Sequence, residues 1–362
     1  MRVRVEGLAR EAGRPPRRIL DGIDLELPGP GVHAVIGPNG SGKTTLLRAL
    51  ALLDPPDEGA IHFDGACVAH AARARPARGA RRRVTMVFDR PALLRGTVRW
   101  NLEFALRAAG AGREERAARV GALAEPLALE RILESRVDRI SAGEARRATL
   151  ARGLALRAEL LLLDEPTANL DPLSAAVVEK AIAGLAEGRE TTVVLATHDL
   201  GQARRLADRV HFLVGGRIAQ DGEAAAVLDA PQSVALAEFV GMENLFRGTV
   251  EDRGEVQRFV APGIDWAVIA ERAGPSWAGL PARDVLISRG PVESSALNDV
   301  AGRIAAIDER GPTVVVELAT KGVPELRLRA AVTRATLSGM GLATGQEVRF
   351  VFKAASVRLF QA

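Results

Sequence analysis

Val32-His33-Ala34-Val35-Ile36 runs into Gly37-Pro38-Asn39-Gly40-Ser41-Gly42-Lys43-Thr44, and Thr45-Leu46-Leu47-Arg48-Ala49-Leu50 follows. An apolar run of strand length, a glycine-rich loop and a segment with leucines at helical spacing meet here in one order. The loop fits G-x-x-x-x-G-K-[ST] in the context its chemistry requires, after a strand and before a helix. Its glycines let backbone amides turn toward a phosphate, and the helix start adds partial positive charge. Lys43 is expected to reach the β- and γ-phosphates of a nucleotide, and the Thr44 hydroxyl to ligate Mg²⁺. A glycine-rich turn without a ligand is the competing reading, and the strand–loop–helix setting disfavours it.

Further along, Leu160-Leu161-Leu162-Leu163 and Thr192-Val193-Val194-Leu195 are continuous apolar runs, the pattern of parallel strands buried on both faces. The first ends in Asp164-Glu165-Pro166. Asp164 is placed to hold the coordination shell of a metal, and Glu165 to polarise the water that attacks the γ-phosphate. Segments 102–109, 113–124 and 144–157 read as helices rich in Ala, Leu, Arg and Glu, and Asp54-Pro55-Pro56 is expected to stop the helix that starts at Lys43. Ile140-Ser141-Ala142-Gly143-Glu144 contains an S-x-x-E capping box, which would point the first amides of the next helix outward. The arginine-rich segment 71–83 reads as a solvated surface connection.

Composition bounds the class. The 362 residues suffice for two domains, 47% are hydrophobic, and Lys+Arg exceeds Asp+Glu by 49 − 45 = 4. With aromatics at 4% and no tyrosine, the chain is poor in the stacking groups of a nucleic-acid binder, and no nucleic-acid partner is expected. A single cysteine, Cys67, leaves no internal disulfide framework and fits a reducing compartment. No stretch of roughly 18 apolar residues occurs, so the chain is expected to be soluble and to reach a membrane only by docking. From about Phe239 the texture changes to short alternating segments such as Glu325–Ala330 and Glu347–Phe352, with Gly311-Pro312 and Gly345-Gln346 as turn signals. Glu243–Val250 is echoed by Leu297–Ile304, 54 residues later. This predicts an ATP-binding region over 1–236 and a β domain over 240–362 made of two small units, about 243–291 and 297–360.

In this order, Ser141-Ala142-Gly143-Glu144 resembles the signature of ABC-type ATPases, and Asn169-Leu170-Asp171 and Thr197-His198-Asp199 match the family's later motifs. The resemblance covers roughly residues 1–236. It implies an α/β P-loop NTPase of the ABC type, with a mixed sheet core plus helical subdomain, and a smaller all-β C-terminal OB-like (TOBE/MOP) domain. It also implies that ATP with Mg²⁺ is sandwiched between two copies of the chain. On one side stand Lys43, Thr44, Asp164, Glu165 and His198. On the other, Ser141, Gly143 and Glu144 of a second copy face the γ-phosphate, and Asn169 and Asp171 tie the copies together. An integral membrane permease would turn closing and opening into transport, at the cytoplasmic face of the cell membrane, with an extracytoplasmic solute-binding protein as an indirect partner.

Three departures from the family pattern stand out. Asp89 occupies the position of a glutamine that senses Mg²⁺ and the γ-phosphate, Ala142 replaces a signature glycine, and no aromatic precedes Phe63 to stack on adenine. Leu53-Asp54-Pro55-Pro56 and Thr197–Ala203 look like the ATPase subunits of tungstate and molybdate importers. The C-terminal domain resembles the oxyanion-binding modules of such subunits in Ser294, Ser295, Thr333, Lys353 and Ser356, while Leu297 and Ala355 lack donors common there. Related β domains on other importers serve mainly in dimerisation. Two alternatives stay open: an importer ATPase for sulfate, ferric ion, a polyamine or a sugar, and a soluble non-transport ABC ATPase.

Overall fold

Alternation along the buried strands decides the layering. The computed structural model describes residues 1–72, 75–188, 190–254, 256–310 and 313–361, so the Gly311-Pro312 turn lies outside the described residues. The chain divides into two units, Met1–Ala230 and Pro231–Ala362.

The first unit opens with an antiparallel hairpin of β1 (Val3–Ala12) and β2 (Arg17–Leu27). β3 (Gly31–Ile36) and α1 (Lys43–Leu50) follow, and then β4 (Glu58–Phe63) and β5 (Ala66–His70) return to complete a four-stranded sheet of order β2-β1-β4-β5. β6 (Val84–Val87), β7 (Leu160–Asp164), β8 (Thr192–Thr197), β9 (Arg209–Val214) and β10 (Arg217–Glu223) join β3 in a second sheet of order β10-β9-β3-β8-β7-β6. That sheet is parallel except for β10, hence mixed. Its strands send alternate side chains to two cores. Val35, Leu160, Leu162, Val194 and Ala196 pack with Leu46, Leu47 and Leu50 of α1. Val32, Leu161, Leu163, Val193 and Leu195 face the helices on the other side. Period-two geometry with both faces covered explains why these strands read as unbroken apolar runs.

Between β6 and β7 lie α2 (Val98–Ala108), α3 (Arg113–Ala124) and α4 (Ala142–Ala155), and α5 (Pro172–Glu187), α6 (Leu200–Leu206) and α7 (Ala224–Asp229) come later. α2 starts four residues before the sequence expectation and α4 two residues before, because Thr97 and Ser141 cap them. α1 ends before the prolines. Leu52, at φ 58°, closes a Schellman turn in which the Leu53 amide donates to the Arg48 carbonyl (3.0 Å) and the Leu52 amide to Ala49 (2.9 Å). In the arginine-rich connection, Arg83 is not free in solvent. It pairs with Glu159 at 2.7 Å and also with Asp64.

The second unit begins ahead of the boundary expected from the sequence, taking in α8 (Val234–Phe239). β11 (Asn244–Asp252), β12 (Gln257–Ala261), β13 (Ile264–Val268) and β14 (Gly274–Leu280) form one sheet. β15 (Leu286–Ser288), β16 (Asn298–Arg310), β17 (Thr313–Thr320), β18 (Arg327–Thr333) and β19 (Glu347–Phe352) form another, with α9 (Arg334–Gly339) after β18, and β20 (Arg358–Gln361) returns to β14. The two expected units are thus interleaved rather than sequential: β15 joins the second sheet and β20 the first. The internal echo has a physical basis. Asn244 opens β11 buried, and its side chain exchanges hydrogen bonds with the Arg329 backbone in the other sheet (2.6 and 2.9 Å). Asn298 opens β16 buried and does the same with the Ala267 backbone of the first sheet (2.7 and 2.9 Å). One shared core lies between the sheets, with Phe259, Trp266, Phe350 and Phe352 at its centre.

Candidate functional site

Three parallel strands, β3, β7 and β8, end side by side, and the groups singled out from the sequence sit on the turns beyond them. Beyond β3 the loop folds back, with the Ser41 amide donating to the Pro38 carbonyl (3.2 Å). A Cβ at Gly37 would lie 2.0 Å from the Leu213 carbonyl, at a φ of +154°. The Ser41 hydroxyl is buried and has no hydrogen-bond partner, an orphan that a phosphate oxygen would satisfy. Pro38, Asn39, Gly40 and Thr44 are exposed, and Thr45 half-buried. Lys43 is buried and donates to the Gly37 and Pro38 carbonyls at 2.8 and 3.0 Å. Burial lowers its pKa, against the pull of Glu165 and Asp164.

Asp164 ends β7 buried. Desolvation raises its pKa, Asp89 and Glu165 add to that, and a hydrogen bond from Thr44 and the charge of Lys43 oppose it. Among the described residues no group of three or more His, Cys, Asp or Glu side chains could hold a metal alone. Asp164 and the Thr44 hydroxyl bonded to it are the carboxylate and hydroxyl that Mg²⁺ takes beside phosphate oxygens and water. Glu165 stands in the left-handed region at φ 46°, where its carboxylate accepts a hydrogen bond from, or shares a proton with, His198 Nδ1 at 2.8 Å. Its amide donates to Ala196 at the end of β8 (2.9 Å), so β7 and β8 together hold the turn. Non-glycine residues in that conformation cost of order 1 kcal/mol or more and cluster at functional sites.

Asp89 lies on the exposed turn after β6, its charge close enough to bear on Asp164. At the start of α4 the capping box closes in both directions. Glu144 accepts from the Ser141 amide at 2.8 Å and from its hydroxyl at 2.9 Å, while the Glu144 amide donates to Ser141 Oγ at 3.3 Å. These bonds hold the Glu144 carboxyl below its ordinary range. The Ala142 and Gly143 amides, first in the helix, have no intrahelical acceptors. Asn169 is exposed with φ 60°. Asp171 has a role within its own chain: it caps α5 through the Leu173 and Ser174 amides (3.1 and 3.0 Å).

Of the five residues suggested for an oxyanion, the structure sets Thr333 apart from the other four. Ser294 and Ser295 precede Asn298, which pairs with Phe352 beside Lys353, at one end of β16. Thr333 pairs with Thr313 beside Arg310 at the other end, twelve residues along and two strands over. It is also occupied in capping α9 through the Thr336 amide (3.1 Å). Ser294, Ser295, Lys353 and Ser356 thus stand in sequence beside one end of the β16–β19 pairing, and Thr333 toward the other end of β16.

Sequence reasoning passed over Arg146, which is buried and reaches the carbonyls of the Asp89 and Glu165 turns. The signal was present: Arg146, Leu150 and Leu154 recur at helical spacing on the buried face of α4.

Comparison with known proteins places this geometry. An ABC transporter family model matches residues 20–168, and a TOBE domain model matches 294–359. The molybdate/tungstate import ATP-binding protein of Pyrococcus abyssi is 31% identical over 326 residues, 90% of this chain and 91% of that protein. The chain belongs to the ABC transporter ATPases. The Fe(3+) ions import ATP-binding protein of Streptomyces coelicolor is 36% identical over 336 residues, 91% of this chain and 90% of that one. Among solved structures, a dimeric post-hydrolysis ATP-binding cassette bound to ADP and Pi matches with a TM-score of 0.56 and 26% identity, over 61% of this chain and 98% of its own. ATP binding and hydrolysis are the family's chemistry, and this ABC ATPase, with its TOBE domain, is an importer-type subunit. No helix among the described residues is long and apolar enough to cross a membrane.

Proposed function

We propose that two copies of this chain clamp two ATP molecules head to tail, each site completed by Ser141, Gly143 and Glu144 of the other copy, at the cytoplasmic face of a membrane permease. The observation that carries the reading is the convergence of Lys43, Asp164, Glu165 and His198 on the ends of β3, β7 and β8, with His198 Nδ1 2.8 Å from the Glu165 carboxylate. Lys43 would exchange the Gly37 and Pro38 carbonyls for β- and γ-phosphate oxygens. Glu165 accepts a proton from the attacking water as the new P–O bond forms and the β–γ bridge breaks toward ADP. His198 holds the Glu165 carboxylate in place. Thr44 and Asp164, with Asp89 nearby, would hold Mg²⁺, whose contribution is to neutralise charge building on the phosphate oxygens. Nucleotide bound between two copies stabilises the pair by mass action, and loss of the γ-phosphate releases it.

As cargo we propose an oxyanion, tungstate or molybdate. The Leu53–Pro56 and Thr197–Ala203 resemblances support it, as does the Pyrococcus relative. Ferric ion is the second reading, favoured by the higher identity of the Streptomyces protein. For the C-terminal domain we propose the dimerisation role of related β domains in preference to an oxyanion pocket of its own, since Thr333 lies at the far end of β16 from Lys353.

The test is pairing. Glu165→Gln loaded with Mg-ATP should form a dimer by light scattering, and the same form with ADP should not. A protein that stays monomeric with ATP, with and without its permease, refutes the sandwich. Stimulation of hydrolysis in the permease complex by molybdate but not by ferric ion would fix the cargo.

A further inference from the structure

Arg146 is 3% exposed, and each of its five guanidinium N–H groups meets a backbone carbonyl. Nε donates to Pro166 at 2.9 Å, Nη1 to Phe88 at 2.5 Å and to Asp89, and Nη2 to Asp164 at 2.9 Å and to Glu165. Among the described residues no carboxylate forms an ion pair with it, although Asp89, Asp164 and Glu165 are close enough to favour its charge against burial. Taking a cation out of water costs several kcal/mol. Merely fastening a helix to a sheet does not call for that expense, because Ala148, Leu150 and Ala151 of the same helix already do so with apolar contacts.

What distinguishes the arginine is which carbonyls it collects. Phe88 and Asp89 form the turn beyond β6, and Asp164, the last residue of β7, leads into Glu165 and Pro166 of the turn beyond it. The second turn contains the left-handed Glu165, a conformation that persists only when its surroundings over-determine it. The Ala196 carbonyl holds that residue by its amide, and Arg146 holds it by its carbonyl. Arg146 itself rides on α4, five residues or about 7.5 Å of helix beyond Ser141.

We propose that Arg146 is a positioning residue: its guanidinium locks the Asp89 and Glu165 turns in register with the start of α4, so that the helix end offered to the second copy's nucleotide and the hydrolytic groups of its own chain move as one body. The inference rests on the proposed action of Glu165 on water and on Ser141 facing the other copy. Substrate contacts are not part of the role. Arg146 should therefore govern the rate of the chemical step and leave ATP affinity alone.

The test uses Arg146→Gln and Arg146→Lys in the full chain, with Glu165→Gln as control. Misplacement by about 1 Å costs roughly a hundredfold in rate. Arg146→Gln should lower kcat by about that factor with KM for ATP changed less than threefold. Lysine retains the charge and part of the donor set, and should recover kcat to about a tenth of the parent value. The proposal is overturned if Arg146→Gln hydrolyses ATP within twofold of the parent, or if KM rises in step with the fall in kcat and lysine recovers nothing. Should the glutamine variant fail to fold, Arg146→Lys decides alone: a tenfold lower kcat at unchanged KM supports the clamp, and parent-like kcat removes it. Full activity in Glu165→Gln would instead remove the role of Glu165. An inactive Glu165→Gln beside a fully active Arg146→Gln removes the clamp only.

Discussion

Replacing Gly37 with alanine, beside the same change at Gly40, separates backbone conformation from space within one loop. Both glycines have positive φ, +154° and +79°, so alanine is strained at each by about 1 kcal/mol. Their surroundings differ. At Gly40 an added Cβ meets nothing within 4 Å. At Gly37 it would lie 2.0 Å from the Leu213 carbonyl, against an ordinary contact of 3.4 Å or more, so loop and strand must part by about 1.4 Å. Leu213 belongs to β9, whose residue Phe212 pairs with Ile36 at the end of β3. The displacement must therefore pull on that ladder or shift the loop toward the phosphate position. Gly40→Ala should cost about 1 kcal/mol, and Gly37→Ala about 3 kcal/mol, in the range of severe single substitutions. ATP affinity should fall roughly a hundredfold in Gly37→Ala, equivalent to about 2.7 kcal/mol. Urea denaturation gives the first pair of numbers, and titration with a fluorescent ATP analogue the last. Equal stabilities for the two variants, or parent-like affinity in Gly37→Ala, would refute the close-approach argument.

Other outcomes follow from the same geometry. Ser141→Ala removes the hydroxyl half of the capping box, which accepts from the Glu144 amide and donates to its carboxylate, and should cost about 1 kcal/mol by urea denaturation, with Ser141→Thr retaining most of the stability. Asp89→Gln removes a carboxylate close to Asp164 and should raise the Mg²⁺ concentration for half-maximal hydrolysis several-fold; an unchanged Mg²⁺ titration would deny Asp89 any part in metal binding. His33 and His211 stack in the sheet with their nitrogens 3.4 Å apart, and burial lowers the pKa of both, that of His211 to about 3. The unfolded chain takes up those protons near pH 6.5, so stability is complete above that pH and is lost as pH falls toward the folded value. His211 alone should account for about 2 kcal/mol between pH 7.5 and 5. His211→Gln should shrink the acid-side loss by that amount in urea melts at the two pH values.

How much of this was legible beforehand depended on the range of the interactions. The P-loop, the two acids after β7 and the S-x-x-E box are local devices, each defined by fewer than ten residues, and they stand on the elements expected. The start at Val98 lies four residues ahead of the periodic segment because Thr97 caps the helix from outside it, and the start at Ala142 follows directly from Ser141 of the S-x-x-E box acting as the cap. The Leu52 turn was missed because a buried leucine in left-handed conformation carries no glycine signal.

The sequence by itself determined the fold class, the nucleotide loop and the order of the motifs, because strand alternation, helix spacing and capping are written in neighbouring residues. Tertiary structure alone decided that β15 and β20 exchange sheets, that Thr333 stands apart from Lys353, and that Arg146 gathers five carbonyls from two turns. Those outcomes depend on register between strands and on which chain ends meet, and the sequence distance between the partners, 18 to 20 residues for Arg146 with the β7 turn and 57 to 58 with the β6 turn, leaves no periodic trace.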